Sequence, residues 1–306
     1  MTRKNTLLLS GLLTVFLAAV FAVSSVFYAS AASKKQSAKS HKKGVATSEA
    51  ASSQTSAATK PTQPSREAEA VDLASLSSKK ICWGQGRNFD PFNRPQDAVT
   101  SQEKYGKLGG LFIGLTEDND SANKKIYLTF DEGYENGYTA KILDTLKQKK
   151  VKAVFFVTGD YAKRECELVK RMIDEGQVVG NHTWRHYSMP EKSLDTCREE
   201  ISLLHDYVRE NYGYEMHVLR PPKGEFSEQT LALASQMGYR TCLWSFAYKD
   251  WDANSPGNAS ECLGKLNERL HPGAVYLLHA VSSTNAAILG DFIDSARAQG
   301  YEFITP

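Results

Sequence analysis

Short runs rich in β-branched and aromatic residues alternate with helical patterns through the C-terminal part of the chain. The runs predict seven strands, at residues 126–130, 153–157, 177–180, 217–219, 241–244, 275–278 and 301–304. The helical patterns predict six helices, at residues 137–149, 165–175, 193–211, 227–237, 260–270 and 285–299. Strands that alternate with helices form a parallel sheet, and right-handed crossovers wind it into a barrel or an open doubly wound sheet. The pattern therefore predicts an α/β domain over residues 124–306.

The beginning of the chain follows a different pattern. Arg3 and Lys4 precede an apolar run at residues 7–27, and small residues follow at 29–31. This order predicts a secretory signal peptide or a membrane anchor over residues 1–31. Both interpretations place the rest of the chain outside the cytoplasm, in the cell wall or anchored to the membrane and facing outward.

Two further segments separate this apolar run from the α/β domain. Residues 32–80 are dominated by Ser, Ala, Thr, Lys and Gln, and no Phe, Trp or Tyr occurs after residue 32 in this stretch. Such a segment buries too little apolar surface to offset its chain entropy, so a disordered linker is predicted. Residues 81–123 are rich in Gly, Asn, Asp and Pro. They are expected to form an irregular lead-in that packs on the domain.

Charge and composition exclude two classes of protein. The 306 residues carry a net charge of +2, but residues 1–80 hold 11 basic and 4 acidic residues, which leaves the rest mildly acidic. A nucleic-acid binder concentrates basic charge on its folded part, so no nucleic-acid partner is expected. A single long apolar run excludes a polytopic membrane protein and limits membrane contact to the N-terminal segment.

Five cysteines occur in the chain, and none form a C-x-x-C pair, which disfavours a zinc–thiolate site or a redox motif. Export would permit disulfides. A bridge between Cys166 and Cys197 stays open as an alternative to free thiols, whereas Cys242 is expected to be a buried small hydrophobe. The odd count leaves at least one thiol free or intermolecular.

Chemically capable side chains follow directly after several of the predicted strands. They are Asp131 and Glu132 after the first strand, His182 and His186 after the third, Arg220 after the fourth, Asp250 and Trp251 after the fifth, and His279 after the sixth. The carboxyl ends of parallel strands meet at one end of a β/α fold. We therefore expect these side chains to lie together, although each one alone also fits an ordinary loop, ion-pair or core role.

These residue types fit the hydrolysis of an amide or ester. Two imidazoles and a carboxylate hold a divalent metal and leave a position for water, and the metal lowers the pKa of that water and polarises a carbonyl. His182 and His186 are the candidate imidazole ligands of the metal. Asp131 is the candidate base that takes the proton of the water, and His279 is the candidate acid that protonates the leaving amine.

Three further residues are expected to support this chemistry. Arg220 is expected to orient Asp131, and Asp250 is expected to favour the charged, proton-donating form of His279. A backbone N–H near Tyr134 is expected to stabilise the oxyanion.

Five motifs in order carry a resemblance to a known family. They are Thr129-Phe130-Asp131-Glu132-Gly133, His182-Thr183-Trp184-Arg185-His186, Arg220-Pro221-Pro222-Lys223-Gly224, Asp250-Trp251 and Leu277-Leu278-His279. Through them, residues 124–306 resemble the polysaccharide deacetylase family, the NodB-like carbohydrate esterase family 4. The resemblance implies an irregular (β/α)7 barrel and an enzyme that removes N-acetyl groups from a carbohydrate.

The resemblance also implies a role for each site residue. It implies Asp131 as the base, His279 as the acid, Arg220 and Asp250 as tuning residues, His182, His186 and Glu132 as metal ligands, and Leu277 as a wall of the acetyl-methyl pocket. A divalent metal, with zinc the expected ion, is the implied cofactor. The candidates for further substrate contact are Tyr134, Lys223 and Trp251.

Three finer stretches resemble one branch of this family. They are residues 134–139, residues 226–228 and residues 271–276. They are similar to the delta-lactam-forming de-N-acetylases, which act on N-acetylmuramic acid in peptidoglycan, typically in the spore cortex. The resemblance implies peptidoglycan glycan strands as the partner and a functional dependence on a cell-wall amidase, because the freed amine closes on the lactyl carboxylate once the peptide is gone.

Two positions depart from the family pattern. Glu132 stands where most members have Asp and this branch often has Asn, and its extra methylene moves the carboxylate by more than a metal site tolerates. Lys223 stands where members that act on neutral sugars often have Tyr, and its ammonium is expected to pair with the free lactyl carboxylate of muramic acid. Two alternatives stay open: a deacetylase of N-acetylglucosamine in peptidoglycan or a chitin-like polymer, and an inactive cell-wall-binding domain.

Overall fold

The computed structural model describes residues 71–114 and 124–306. These residues belong to one compact unit of the chain, Pro64–Pro306. The predicted signal or anchor segment and the predicted linker up to residue 70 lie outside the described residues. Within the described ranges, no helix is both long and apolar enough to cross a membrane.

A parallel sheet of nine strands forms the centre of the described part of the chain. Its strands are β2 (Gly110–Leu111), β3 (Lys125–Glu132), β4 (Val154–Val157), β5 (Val178–Asn181), β6 (Val218–Leu219), β8 (Arg240–Cys242), β9 (Phe246–Ala247), β10 (Ala274–His279) and β11 (Glu302–Ile304). Two further strands, β1 (Ile81–Cys82) and β7 (Glu225–Phe226), pair antiparallel beside it. The seven strands predicted after residue 124 correspond to β3, β4, β5, β6, β8, β10 and β11, so those predictions are confirmed.

Eight α-helices connect and cover these strands in the described ranges. They are α1 (Gln96–Tyr105), α2 (Thr139–Lys149), α3 (Gly159–Arg164), α4 (Cys166–Asp174), α5 (Leu194–Tyr212), α6 (Glu228–Gln236), α7 (Ala259–Glu268) and α8 (Ser283–Ala298). Ser193 caps α5, because its side chain accepts a hydrogen bond from the backbone N–H of Thr196, and Ser227 caps α6 in a capping box with Thr230. The six predicted helices are confirmed.

The pairing of the strands shows how the sheet is arranged in the barrel. The order is β2, β8, β6, β5, β4, β3, β10 and β9, with β11 paired to the start of β3. β8 pairs with β6, whereas β9, which follows β8 in the chain, pairs with β10 at the other end of the sheet. Residues 240–247 therefore run from a strand next to one end of the sheet to the strand at its other end. This arrangement agrees with the predicted irregular (β/α) barrel rather than with an open doubly wound sheet.

Apolar side chains fill both faces of the sheet, as is usual for parallel strands. On β4, Phe155 and Val157 pack in the cluster shared with the helices, whereas Val154 and Phe156 pack in a second cluster on the inner face. This alternation follows from the two-residue period of a strand. It places consecutive residues of every strand on opposite faces, so two neighbouring site residues on one strand point away from each other.

The segment before residue 124 contains more regular structure than predicted. It holds β1, α1 and β2, and β2 pairs with β8 inside the main sheet. Its aromatic residues pack together, with the rings of Trp83 and Phe112 4.7 Å apart and those of Phe112 and Phe226 5.4 Å apart. Two-residue strands and a helix with only two buried residues give no detectable period in the sequence, which explains the difference.

The end of the predicted linker also contacts the domain. Residues 71–80 include a 3-10 turn at Leu73–Ser75, and Gln229 and Gln236 of α6 donate side-chain hydrogen bonds to the carbonyls of Leu73 and Val71 at 3.0 and 2.7 Å. The sequence pattern also did not predict helix α3, because a helix of six residues is too short to display a helical period.

Candidate active site

A cavity of about 780 Å³ opens at the carboxyl ends of the barrel strands. Eight of the predicted site residues line it: Asp131, Tyr134, His182, His186, Lys223, Trp251, Leu277 and His279. Arg220 and Asp250 lie beneath its surface, each fully buried and each in contact with a lining residue. The parallel strands thus bring ten of the eleven predicted residues together, and Glu132 is the exception.

Asp131 is held as an anion by a buried arginine. Arg220 donates from Nη1 to Asp131 Oδ1 at 2.7 Å, and its other nitrogens donate to the carbonyls of Cys242 and Leu243 at 3.0 Å each. The guanidinium carbon lies 4.3 Å from the ring centre of Phe156, which fixes its plane. Burial alone would raise the pKa of Asp131, but the charge of Arg220 and its hydrogen bond outweigh burial and hold the pKa below its usual range. Asp131 is therefore ionised at neutral pH, as a general base must be.

His279 is paired with a second buried carboxylate. Its Nδ1 lies 2.7 Å from Asp250 Oδ1, and Asp250 Oδ2 accepts hydrogen bonds from the backbone N–H of His279 at 2.9 Å and from Asn285 Nδ2 at 2.6 Å. Burial lowers the pKa of His279, but the hydrogen bond and the charge of Asp250 outweigh it and raise the pKa above its usual value. The ring keeps Nε2–H free to donate into the cavity, which suits a general acid.

His182 and His186 present their Nε2 atoms to each other, 3.2 Å apart. His182 Nδ1 lies 2.8 Å from the carbonyl oxygen of Arg220, so Nδ1 carries the proton and Nε2 the lone pair. Two imidazoles on one tetrahedral zinc, with bonds of about 2.0–2.1 Å, have nitrogens about 3.3 Å apart. The separation therefore fits a shared divalent metal, and Asp131 Oδ2 lies 3.7 Å from His182 Nε2 as a neighbouring oxygen.

The protonation of the two histidines also suits metal binding. Burial lowers the pKa of His182, and burial together with the neighbouring His182 lowers the pKa of His186 to about 4. Both rings are thus neutral at pH 7, the form that coordinates a metal. Thr183 and His186 adopt φ values of 64° and 58°, a left-handed conformation that costs energy in non-glycine residues and here turns both rings toward one point.

Glu132 does not join this pair. Its side chain is fully buried, and within the described residues neither carboxylate oxygen has a hydrogen-bond partner of regular geometry. Burial, reinforced by the charges of Glu135 and Asp131, raises its pKa well above the usual value, against a smaller opposite effect of the Thr139 hydroxyl. No group of three or more His, Cys, Asp and Glu in the described ranges is placed to hold a metal. The predicted third ligand is therefore not brought to the histidines.

The rim of the cavity carries the predicted substrate contacts. Tyr134 and Trp251 are each 53% exposed, and Leu277 is buried in the wall. Lys223 is exposed, has φ of 60°, and forms no hydrogen bond or ion pair with the described residues through its ammonium. Gly224 follows with a positive φ, and a Cβ there would lie 2.4 Å from the ring of Trp244. The loop is thus shaped to present a cation beside the catalytic groups.

Comparison with known proteins identifies the family. The family model described as Polysaccharide deacetylase matches residues 118–242. The peptidoglycan-N-acetylmuramic acid deacetylase PdaA of Bacillus subtilis is 38% identical over 236 residues, which cover 76% of this chain and 87% of the relative. The chain belongs to the polysaccharide deacetylase family.

Two further comparisons bear on this membership: the first supports carbohydrate esterase family 4 and its muramic acid deacetylase branch, and the second supports the deacetylase family alone. The solved structure of B. subtilis PdaA, a family 4 carbohydrate esterase, has a TM-score of 0.67 with 38% identity and covers 74% of this chain and 95% of that chain. The peptidoglycan-N-acetylglucosamine deacetylase PgdA of Listeria monocytogenes is 35% identical over 183 residues, which cover 60% of this chain and 38% of the relative. The predicted family and enzyme class are thus confirmed, and members of this family are generally metal-dependent.

The lead-in supplies cavity residues of this polysaccharide deacetylase that the sequence analysis missed. Trp83 Nε1 donates to the carbonyl of Trp244 at 2.9 Å, Trp244 Nε1 donates to Gln85 Oε1 at 3.1 Å, and Gln85 Nε2 donates to the carbonyl of Ala247 at 3.1 Å. These bonds join positions some 160 residues apart, so no local sequence pattern could reveal them. The 236-residue match to PdaA does not fit within residues 118–306 and therefore reaches into this lead-in.

Proposed function

We propose that this protein removes the N-acetyl group from N-acetylmuramic acid in peptidoglycan, as the step that leads to muramic delta-lactam. The observation that carries the proposal is the pair of oppositely tuned groups in one cavity: Arg220 favours the ionised form of Asp131, and Asp250 favours the protonated form of His279. Titratable groups whose environments push their pKa values apart indicate the base and the acid of a hydrolase. The similarity to a muramic acid deacetylase indicates which amide is cleaved.

The reaction follows from these two groups. Asp131 takes a proton from a water molecule as the water oxygen bonds to the acetyl carbonyl carbon. Backbone N–H groups near Tyr134 are the proposed donors to the resulting oxyanion. His279 then gives the proton on Nε2 to the amide nitrogen, the carbon–nitrogen bond breaks, and acetate and a free amine leave. Leu277 is the proposed contact of the acetyl methyl group.

His182 and His186 are the proposed protein ligands of a divalent metal, with zinc the proposed ion. A divalent metal held by these two histidines would polarise the acetyl carbonyl and make the attacking water more acidic. Removing the metal with a chelator is expected to abolish turnover, and adding zinc is expected to restore it. His186→Ala should lower the metal content of the purified protein, whereas Asp131→Asn should abolish turnover and retain the metal. Unchanged metal content in His186→Ala would contradict the assignment.

Lys223 is proposed to select muramic acid. A muramic residue stripped of its peptide carries a free lactyl carboxylate, and the unpaired ammonium of Lys223 stands beside the cavity that takes the sugar. Lys223→Ala should weaken activity on stripped glycan strands much more than on a neutral chito-oligomer. Lys141→Ala on α2, an exposed lysine outside the cavity, is the matched control. Equal losses on both substrates would contradict this role.

The product explains the proposed dependence on an amidase. The freed amine attacks the lactyl carboxyl carbon, water leaves, and a lactam ring closes, which requires that no peptide occupies that carboxyl group. The proposed setting is outside the cytoplasm, in a spore cortex, because the homologues act on cell walls. A secretory signal or anchor at residues 1–31 remains part of this proposal.

Mass spectrometry of strand products tests the proposal. The full-length chain, purified in detergent and supplied with divalent metal, is given intact and amidase-stripped strands, with Asp131→Asn as the blank. Loss of acetyl and then of water, only on stripped muramic residues, is the expected result. Acetyl loss from glucosamine residues would favour the alternative that the likeness to PgdA supports. No mass change with any metal would favour an inactive wall-binding domain.

A further inference from the structure

A second cavity, of about 370 Å³, lies beside the catalytic cavity. Gln85 and Ala247 line both cavities, so the two share one wall. The hydrogen bond from Gln85 Nε2 to the carbonyl of Ala247 crosses that wall. A polymer that fills the catalytic cavity with one sugar can therefore reach the second cavity with a neighbouring part of the same strand.

The charge on the lining of the second cavity is positive. Arg87 and Arg269 are its two formally charged lining residues, and burial lowers the pKa of the third titratable one, His271, to about 4, so that ring is neutral at pH 7. Arg87 is exposed and has no hydrogen bond or ion pair with the described residues. Arg269 lies over the ring of Phe89, 4.2 Å from its centre, and its closest carboxylate oxygen, on Glu268, is 3.9 Å away.

The nearby acid Asp90 is bonded within its own turn. Asp90 follows Phe89, but its Oδ2 accepts a hydrogen bond from Arg94 Nε at 2.7 Å, and its Oδ1 accepts from the backbone N–H groups of Phe92 and Arg94 at 2.9 Å each. Both carboxylate oxygens of Asp90 thus accept hydrogen bonds from its own turn. The N–H groups of both lining arginines remain available to an anion from outside.

The wall of the second cavity is fixed before any ligand arrives. His271 Nδ1 lies 2.7 Å from the carbonyl oxygen of Arg269, and His271 Nε2 lies 2.8 Å from Ser245 Oγ, which in turn accepts from the backbone N–H of Val275 at 2.9 Å. Gly86 has φ of 78°, and a Cβ there would lie 2.1 Å from a carboxylate oxygen of Asp97. This preorganisation lowers the entropy cost of binding.

We propose that the second cavity is a subsite for a carboxylate carried by the glycan strand, on a unit next to the one that is deacetylated. Guanidinium groups bind carboxylates through two parallel hydrogen bonds, and two arginines line this cavity, one of them stacked on Phe89. The carboxylate comes either from the lactyl group of a stripped muramic residue or from a peptide stem. The inference rests on the proposed function in that it takes a peptidoglycan strand as the ligand.

The subsite should increase the affinity for long strands and leave the affinity for a single disaccharide unchanged. A disaccharide of N-acetylglucosamine and N-acetylmuramic acid would occupy only the catalytic cavity and would not reach the second cavity. A long strand also delivers a carboxylate to Arg87 and Arg269. The two arginines should therefore lower the dissociation constant and the KM of long strands and leave the kcat unchanged.

Equilibrium binding of fluorescently labelled, peptide-free strands to the full-length chain tests the subsite. The variants are Arg87→Gln, Arg269→Gln and the double variant, with Arg297→Gln on α8, an exposed arginine outside both cavities, as the matched control. We expect the double variant to bind long strands about tenfold or more weakly, the loss of one strong charge-assisted contact. Binding of the disaccharide, and binding of all ligands to the control variant, should not change.

The source of the charge is tested with modified strands. Strands whose lactyl carboxylates have been converted to neutral amides should bind the wild type as weakly as they bind the double variant. If peptide-bearing strands restore the difference between wild type and double variant, the peptide carboxylate serves as well. If the double variant binds both charged and neutral long strands with the same dissociation constants as the wild type, the proposed subsite is wrong. Since Arg87 forms no hydrogen bond or ion pair with the described residues, Arg87→Gln separates a lost charge from a disturbed fold.

Binding and turnover fail separately in this design. If the wild type binds charged strands through the arginines but releases no acetate, the proposed deacetylation is wrong and the subsite stands. If it releases acetate from strands with the same KM in all variants, the deacetylation stands and the subsite is wrong.

Discussion

Asp250 should set the pH above which the enzyme stops working. His279 can act as the acid only while it holds its proton, so activity falls as the pH rises through its pKa. The pKa is raised because Asp250 Oδ1 lies 2.7 Å from Nδ1 in a site where the Asp250 side chain is fully buried. Asp250→Asn keeps the shape of the side chain and removes the charge that stabilises the imidazolium.

The size of the effect follows from the geometry. A hydrogen bond to a charged group contributes about 1.5–3 kcal/mol, and one pKa unit corresponds to about 1.4 kcal/mol. The falling limb of activity against pH should therefore move about 1–2 units toward lower pH in Asp250→Asn. At pH values below the falling limb of the variant, Asp250→Asn should recover much of its rate, since His279 again holds its proton there.

The assay is the kcat of strand deacetylation measured across pH for the wild type, Asp250→Asn and the control Asp252→Asn. Asp252 lies two residues along the chain, where its carboxylate accepts a hydrogen bond from the backbone N–H of Asn254 at 3.1 Å and forms an ion pair of 3.8 Å with Lys249. Its variant should keep the wild-type profile. A uniform loss of rate in Asp250→Asn, with the falling limb at its wild-type position, would refute the reasoning, because Asp250 would then only position the ring.

The remaining predictions concern buried charges and thiols. Arg220→Met leaves the Asp131 carboxylate buried without a cation, so the free energy of unfolding should fall by about 3–5 kcal/mol in denaturant titrations; an unchanged stability would contradict the ion pair. Glu132→Gln should keep the free energy of unfolding within about 1 kcal/mol at pH 7, since burial raises the pKa of Glu132 and so favours its neutral form, which Gln resembles in shape; a large loss would show that it is charged and paired. A maleimide should label the exposed Cys82 and Cys166 in the folded protein and all five cysteines after unfolding; protection of Cys166 would instead indicate a bridge.

All five cysteines are free thiols in the structure, which bears on the open question of a bridge. Cys166 is exposed at the start of α4, whereas Cys197 is buried in α5 with its Sγ 3.2 Å from the carbonyl of Met189. Cys242 is buried beside Arg220, as expected of a small core residue. The thiol-labelling result above distinguishes these states directly.

The longer strands of residues 124–306 could be predicted because each of them buries an apolar run between turn residues. β3, β4 and β10 are long enough to show this pattern. β2 and β9 have two residues each and take their place in the sheet from partners far along the chain. Tertiary pairing, which has no local signature, decides such strands.

The main site residues could be predicted for a geometric reason. Asp131, His182 and His279 each stand at the carboxyl end of a parallel strand, and those ends meet. The residues that form hydrogen bonds around the site could not be predicted in the same way. Asn285 bonds Asp250 from the first turn of α8, and Gln85 reaches Trp244 across 159 positions. Their amides carry no charge, and their contacts depend on how helices and the lead-in pack on the barrel.

The placement of Glu132 shows where reading adjacent residues as one cluster fails. Asp131 and Glu132 stand next to each other, and β3 continues through both, so their side chains point to opposite faces of the sheet. Asp131 faces the cavity, whereas Glu132 shares the face of Phe130, which packs in the cluster with the helices. A carboxylate there is buried without a hydrogen-bond partner, which is costly unless it holds a proton. The same alternation that places Asp131, the proposed base, beside Arg220 turns Glu132 to the opposite face, and the strand ends then present two imidazoles beside Asp131.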